Sequence, residues 1–207
     1  MKNFLAIDTS NDYLTVIAAK DGKFAVAHIP NCAMRHSVSF MAEVEKVLLE
    51  LGLSTNECDF FASTVGAGSF TGIRIGISTA KGFCLATKKN SLPVTSFDVM
   101  AYNGVKGKIL CLVNALHDYY YACGYEDGIL KLQPQYLSEE EVLAYLQEGY
   151  ALLSTTALPI EEKAEVLRVD PAQGLLNAVT ALAKEEKFGE LVALYVRKSS
   201  AELNLGV

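Results

Sequence analysis

The sequence predicts an α/β protein of two related units, each a mixed sheet with helices against it, the second unit reduced. Three observations predict it. The first hundred residues order strand-like and helix-like runs as β-β-β-α-β-α-β-α, which is the pattern of a mixed sheet with helices packed on it. The second half opens again with three consecutive strand-like runs, as a trimmed duplicate would. No low-complexity linker parts the halves, so the expected division falls at 1–102 and 103–207, with the last segment packing back on the first unit. With 207 residues, 51% of them hydrophobic and 20% charged, the chain is long enough and apolar enough for a normal core.

Each element follows from local pattern. "NFLAIDTS" reads as a buried strand ending in turn chemistry, and "YLTVIAAKDGKFAVAHIP" as two strands joined at Asp21-Gly22, a strong hairpin signal. From Ser37 to Leu51, Val38, Met41, Val44, Leu48 and Leu51 keep helical spacing, while Phe40 and Val47 widen the apolar stripe to a second flank. A strand at Phe60–Val65, a glycine run, a helix over Thr71–Thr87, a short strand in "SLPVTS" and a short helix in "FDVMAYNGV" complete the first unit. "KILCLVNAL", "YYYACGYE" and "ILKLQPQYL" open the second. Ser138 with Glu141 three residues on forms a capping box, "YALLST" is a strand, and Asp170-Pro171 starts the last long helix.

The glycine run "GAGSFTGIRIG", 66–76, lies between a strand and a helix, where phosphates are often held. It lacks the Gly-Lys-Ser/Thr ending of a Walker loop, and its third glycine falls one residue late for a dinucleotide loop. Gly66 and Gly68, with Ser69 and Thr71, are read as a sharp turn out of the strand. Gly72, Gly76, Ala80 and Cys84 recur every four residues and make one smooth ridge, flanked by Ile73 and Phe83. A helix-interior glycine costs about 1 kcal/mol against alanine, so close approach of another backbone is expected there. The ridge packs either on the chain's own sheet or on a helix of another chain. The second apolar flank of the preceding helix favours the latter, which places Phe40, Val44 and Val47 at a partner interface beside the ridge.

Charge and residue types exclude several functions. The formal net charge of −6 supplies no basic field for nucleic-acid binding by the chain alone. No apolar run is long enough to span a membrane, and Asp8 interrupts what would be a signal-peptide core. Cys32, Cys58, Cys84, Cys111 and Cys123 form no CxxC pair and read as reduced core thiols, which places the chain in the cytoplasm. The three histidines, His28, His36 and His117, form no metal-ligand pair.

"AIDTS", "RHS" at 35–37, "GAGSFTGIRIG", "AKG" at 80–82, "PV" at 93–94 and the ending "LYVRKSSAE" together resemble the TsaB (YeaZ) family. The resemblance implies an actin-like ATPase (ASKHA, ribonuclease H-like) fold of two related subdomains. It implies a non-catalytic subunit that binds and activates the TsaD paralogue, which transfers threonylcarbamoyl to N6 of adenosine 37 in tRNAs reading ANN codons. The ATPase TsaE is a further implied partner, tRNA is met only through the complex, and a homodimer is implied when the chain is alone. ATP or ADP is implied, if anywhere, at an interface of the full complex, and no cofactor in the isolated chain.

The chain departs from the family pattern at Gly66-Ala67-Gly68, where Gly-Pro-Gly is usual, at Asn114-Ala115-Leu116, where Asp-Ala-Arg is usual, and at Ala193, where proline is usual. The catalytic paralogue's His-x-x-x-His metal pair falls on Ser96 and Met100 here, neither a plausible iron or zinc ligand. Asp8, Thr9 and Ser10 stand where an actin-like ATPase places its first phosphate loop, without the glycines of such a loop. Asn114 cannot act as the general base expected at the second subdomain. A small ATPase or kinase, and more remotely a metallopeptidase, are the competing readings.

Overall fold

The structure is a computed structural model that describes residues 2–32 and 36–197; for 36–39 it describes the backbone alone. The readings placed on the His36 side chain and on the closing residues 198–207 lie outside the described residues.

The first sheet contains β1 (Phe4–Asp8), β2 (Leu14–Lys20), β3 (Lys23–Ile29), β4 (Phe60–Thr64) and β5 (Asn90–Val94), in the order β3-β2-β1-β4-β5. The second contains β6 (Lys108–Asn114), β7 (Tyr119–Glu126), β8 (Ile129–Ser138), β9 (Ala151–Ser154) and β10 (Val166–Arg168), in the order β10-β9-β6-β7-β8. Read from the other edge, the second order repeats the first strand for strand. In both sheets the first three strands are antiparallel neighbours, and the fourth and fifth run parallel to the first. The chain is therefore a structural duplication.

The helices show what was trimmed. In the first unit, α1 (His36–Glu50) follows the third strand and α2 (Phe70–Thr87) the fourth. In the second, α4 (Glu139–Gln147) corresponds to α1, while only a 3-10 turn at Pro159–Glu162 stands in the place of α2. Side-chain caps fix the starts. Ser69 accepts the Gly72 amide at α2, Thr95 and Asp98 form a capping box at α3 (Ser96–Ala101), Ser138 and Glu141 do so at α4, and Asp170 caps α5 (Pro171–Lys184).

Strand alternation divides the core. Leu5 and Ile7 of β1 face α1 and α2, while Phe4 and Ala6 face the opposite side. That opposite side is covered by α5, through Leu175, Ala178 and Val179. The last long helix thus leaves the second sheet and packs on the first. Gly174 lets it approach α3 closely, since a Cβ there would lie 2.0 Å from the Val99 carbonyl oxygen. The second sheet packs one face, with Ile109, Cys111 and Tyr125, against Phe97 and Met100 of α3, and its other face under α4.

The structure corrects the partner-interface reading of α1 and α2. Phe40, Val44 and Val47 are buried in the chain's own core with Leu14, Val16 and Ala27. Gly72, Ile73, Gly76 and Ala80 are buried as well, and the ridge lies on β1 and β4. A Cβ at Gly72 would sit 1.9 Å from the Thr9 carbonyl oxygen, and one at Gly76 would sit 2.8 Å from Thr9 Oγ1 and 2.9 Å from Ser63 Oγ. The backbone that approaches the glycines is the chain's own. Of the residues assigned to a partner, only Phe83 and Cys84 keep partial exposure. Both flanks of α1 are apolar, and the outer one is instead Met41, Leu48 and Leu49.

Among the described residues no helix is long and apolar enough to cross a membrane. Cys32, Cys58, Cys111 and Cys123 are buried, and burial pushes the Cys58 and Cys123 thiols up to about 12, which makes them inert as nucleophiles.

Candidate functional site

The two sheets meet at a cleft, and the turn after β1 forms its floor. Asp8 ends β1 and is wholly buried, with Thr9 and Ser10 beside it. Its Oδ1 accepts the Ser10 amide at 2.9 Å and the Ser10 hydroxyl at 2.7 Å, and its Oδ2 lies 3.1 Å from the Tyr13 hydroxyl. Thr155 Oγ1 lies 3.3 Å from that same Tyr13 oxygen, so the network reaches from the first sheet to the loop after β9. Ser10 Oγ is also 3.1 Å from Ser96 Oγ, which donates to the Ala67 carbonyl at 2.6 Å.

The glycine turn closes over this floor. Gly66 and Gly68 have φ of 119° and 149°, which an L side chain rarely adopts, and a Cβ at Gly68 would sit 2.1 Å from the Ser10 carbonyl oxygen. The Ser69 amide donates to that same Ser10 carbonyl at 2.6 Å, and Thr9 Oγ1 donates to the Gly72 carbonyl at 2.7 Å. Ser69 and Thr71 themselves are exposed at the start of α2. Asp8, Thr9, Ser10, Gly66, Gly68 and Gly72 are therefore brought together as one interlocked turn, with the backbone of one loop filling the space beside the other.

Burial pushes the Asp8 carboxyl above its ordinary 3.8, against hydrogen bonds from Ser10 and Tyr13 that pull it down. Burial, then the Asp8 charge, holds the Tyr13 phenol well above its ordinary value. A carboxyl whose pKa is raised by folding binds its proton more tightly in the native state. Its contribution to stability is fully present below 3.8 and is lost as pH rises through the folded value. Urea unfolding midpoints of the wild type, relative to Asp8→Asn, are therefore expected to fall as pH rises above about 3.8. Parallel pH profiles for the two proteins would contradict this.

On the second-sheet side, Asn114 Oδ1 accepts the Leu116 amide at 2.8 Å, so the side chain shapes its own turn. Leu116, His117 and Asp118 follow in the left-handed region and are exposed. His28 is exposed and its Nδ1 lies 2.9 Å from Thr15 Oγ1. Ser96 and Met100 are both buried in α3. Among the described residues, no group of three or more His, Cys, Asp or Glu side chains is placed to hold a metal ion.

A second feature of the cleft brings together residues from two separate motifs of the sequence. A cavity of about 440 Å³ is lined by Phe70, Tyr121 and Tyr195 together with His117 and Arg197. Phe70 stacks on Tyr195, with ring centres 5.1 Å apart, and the Arg74 guanidinium lies 3.7 Å over Phe70 while its Nε donates to the Tyr195 hydroxyl. Arg197 donates to the Tyr136 hydroxyl at 2.7 Å, and Tyr136 stacks on Tyr119 at 4.6 Å. The motifs marked Phe70, Arg74, Tyr195 and Arg197 singly, and alternation in β7 puts Tyr119 and Tyr121 on one face, next to Tyr136 of β8.

Two sheets of one topology, related as a duplication and meeting at a cleft floored by the turn after the first strand, define the actin-like ATPase (ASKHA) fold class. Comparison with known proteins narrows the class. The model of one family, TsaD: tRNA N6-adenosine threonylcarbamoyltransferase, matches residues 28–197. The chain belongs to that family, and several of the relatives it resembles carry the TsaB or YeaZ name.

The tRNA threonylcarbamoyladenosine biosynthesis protein TsaB of Buchnera aphidicola (subsp. Schizaphis graminum) is 31% identical over 115 residues, 54% of each chain. The Escherichia coli protein of that name is 34% identical over 97 residues, 47% of this chain and 42% of its own. The matched stretch thus spans about half the length of these relatives. A solved Pseudomonas aeruginosa protein, described as uncharacterized with similarity to peptidase YEAZ, superposes with a TM-score of 0.82 at 21% identity, over 95% of this chain and 100% of its own. YeaZ from the same organism superposes with a TM-score of 0.76 at 21% identity, over 94% and 100%. At that identity these two report the fold.

Proposed function

We propose that this chain is a non-catalytic subunit of threonylcarbamoyladenosine biosynthesis. In this reading it binds a TsaD-type paralogue and activates it for threonylcarbamoyl transfer to N6 of adenosine 37 in tRNAs reading ANN codons. The observation that carries the reading is the closed turn at Asp8. A nucleotide-hydrolysing actin-fold protein offers free backbone amides to a phosphate. Here the Ser10 amide and hydroxyl are both spent on Asp8, and the turn is buried under the glycine loop. The residues at the paralogue's metal-pair positions support the same reading. Ser96 is tied to the Ala67 carbonyl, and Met100 is packed in the core. The relatives' names supply the pathway.

The partner surface assigned here is the exposed flank of α1 with its neighbour α2. Met41, Leu48 and Leu49 line a groove there together with Phe83. Both a second copy of the chain and the paralogue can use one such surface, as a two-fold and a pseudo-two-fold contact. The TsaE ATPase joins the larger assembly in this reading.

The test is co-expression with the TsaD-type paralogue of the same organism, followed by mass measurement and a transfer assay. A complex of defined stoichiometry, in which the paralogue modifies tRNA only when this chain is present, is expected. ATP turnover by the purified chain alone, or full activity of the paralogue without it, would overturn the reading.

A further inference from the structure

We propose that the aromatic cleft between the two sheets takes unpaired bases of an RNA strand. The proposal gives the scaffold a direct contact with nucleic acid, and its choice of RNA rests on the tRNA-modification reading above. Phe70, Tyr121 and Tyr195 line a cavity whose volume of about 440 Å³ lies in the ~300–1,000 Å³ range of ligand clefts. Phe70 and Tyr195 are 42% and 44% exposed, a large ring area to leave open to water. Flat rings with guanidinium groups among them are what unpaired bases stack on, because every base has a π-face.

Two features favour a strand over a free nucleotide. First, the Ser10 amide on the floor is engaged by Asp8 and so is withdrawn from a phosphate chain. Second, the ring surface does not end at the cavity. Arg197 lines it and also bonds Tyr136, which stacks on the 38%-exposed Tyr119 of β7. The rings thus continue out of the cavity along the sheet, a length that one nucleotide does not need. Among the described residues, Arg74 and Arg197 bring positive charge to these rings. Asp12, in the adjoining part of the cleft, and Asp118, beside His117, oppose them. With a net charge of −6 the chain lends the contact little electrostatic help, so binding rests on the rings.

The probe is a single-stranded RNA of about seven nucleotides carrying a fluorescent base analogue, titrated into the full chain at about 50 mM salt. The same strand in duplex and free AMP are the comparison arms. Saturable quenching by the single strand is expected. Tyr195→Leu and Tyr136→Leu should each weaken it about fivefold to a hundredfold, and Tyr195→Phe should preserve it. Equal response to the duplex, AMP binding as tight as the strand, unchanged affinity of both leucine variants, or no saturable response would each overturn the proposal. Pull-down of the same variants with the TsaD-type paralogue separates the two readings. Loss of RNA quenching with intact pull-down is the expected pattern, and failure of the wild-type pull-down with intact quenching would sink the scaffold reading alone.

Discussion

Replacing Gly72 with alanine is expected to destabilise the fold by about 3 kcal/mol or more, at the upper end of overpacking costs. The new methyl would lie 1.9 Å from the Thr9 carbonyl oxygen, a backbone atom that cannot rotate away. Relief would require the β1 turn and α2 to part, and that breaks the Thr9 hydroxyl bond to the Gly72 carbonyl. Gly82 lies on the same helix and provides the opposite case. It is exposed, and a Cβ there meets nothing within 4 Å. Gly82→Ala is therefore expected to stabilise by about 1 kcal/mol, the helix-propensity gain alone. Urea unfolding of both variants measures the contrast. A Gly72→Ala protein as stable as the wild type would remove the close approach from the account of this fold.

Most of the architecture was legible because it rests on local chemistry. Asp21-Gly22 sits in the left-handed region at the β2–β3 turn, and the Ser138–Glu141 and Asp170–Pro171 starts lie where those residues stand. β10, only three residues long, and the 3-10 turn before it gave too little periodicity to read. The α5 pattern gave its helix but not the sheet it covers, since an apolar stripe does not name its partner. The same limit misassigned the flanks of α1. Periodicity set Val38, Met41, Val44, Leu48 and Leu51 on one stripe and Phe40 and Val47 on a second flank, but it could not say which of them the sheet covers; Phe40, Val44 and Val47 are the buried ones. The glycine ridge was read correctly as a close approach and assigned to the wrong backbone, because nothing local distinguishes a neighbour in the same chain from one in another. The buried network around Asp8 and the ring cluster around Tyr195 join residues far apart in sequence, so the motifs marked members of each one by one but not their contacts.

That correction reverses what substitutions at the helices should do. Gly76→Arg or Ala80→Arg puts a long cation into the contact between α2 and the first sheet, where Ala80 has no exposure, so the expected result is an unfolded or aggregated chain. Met41→Glu combined with Leu49→Glu should behave differently. These side chains are 53% and 72% exposed, and exposed substitutions usually change stability within about 0.5 kcal/mol. The double variant should therefore keep the wild-type unfolding midpoint. If the α1–α2 groove is the partner surface, two carboxylates would be forced into a dry contact beside Leu48 and Phe83. Association with both a second copy and the TsaD-type paralogue should then weaken by at least about 3 kcal/mol, more than a hundredfold in Kd. Sedimentation of the chain alone and pull-down with the paralogue read the two associations separately. A folded double variant that associates as the wild type does would move the partner surface away from these helices. One that loses only self-association would show that the copy and the paralogue use different faces.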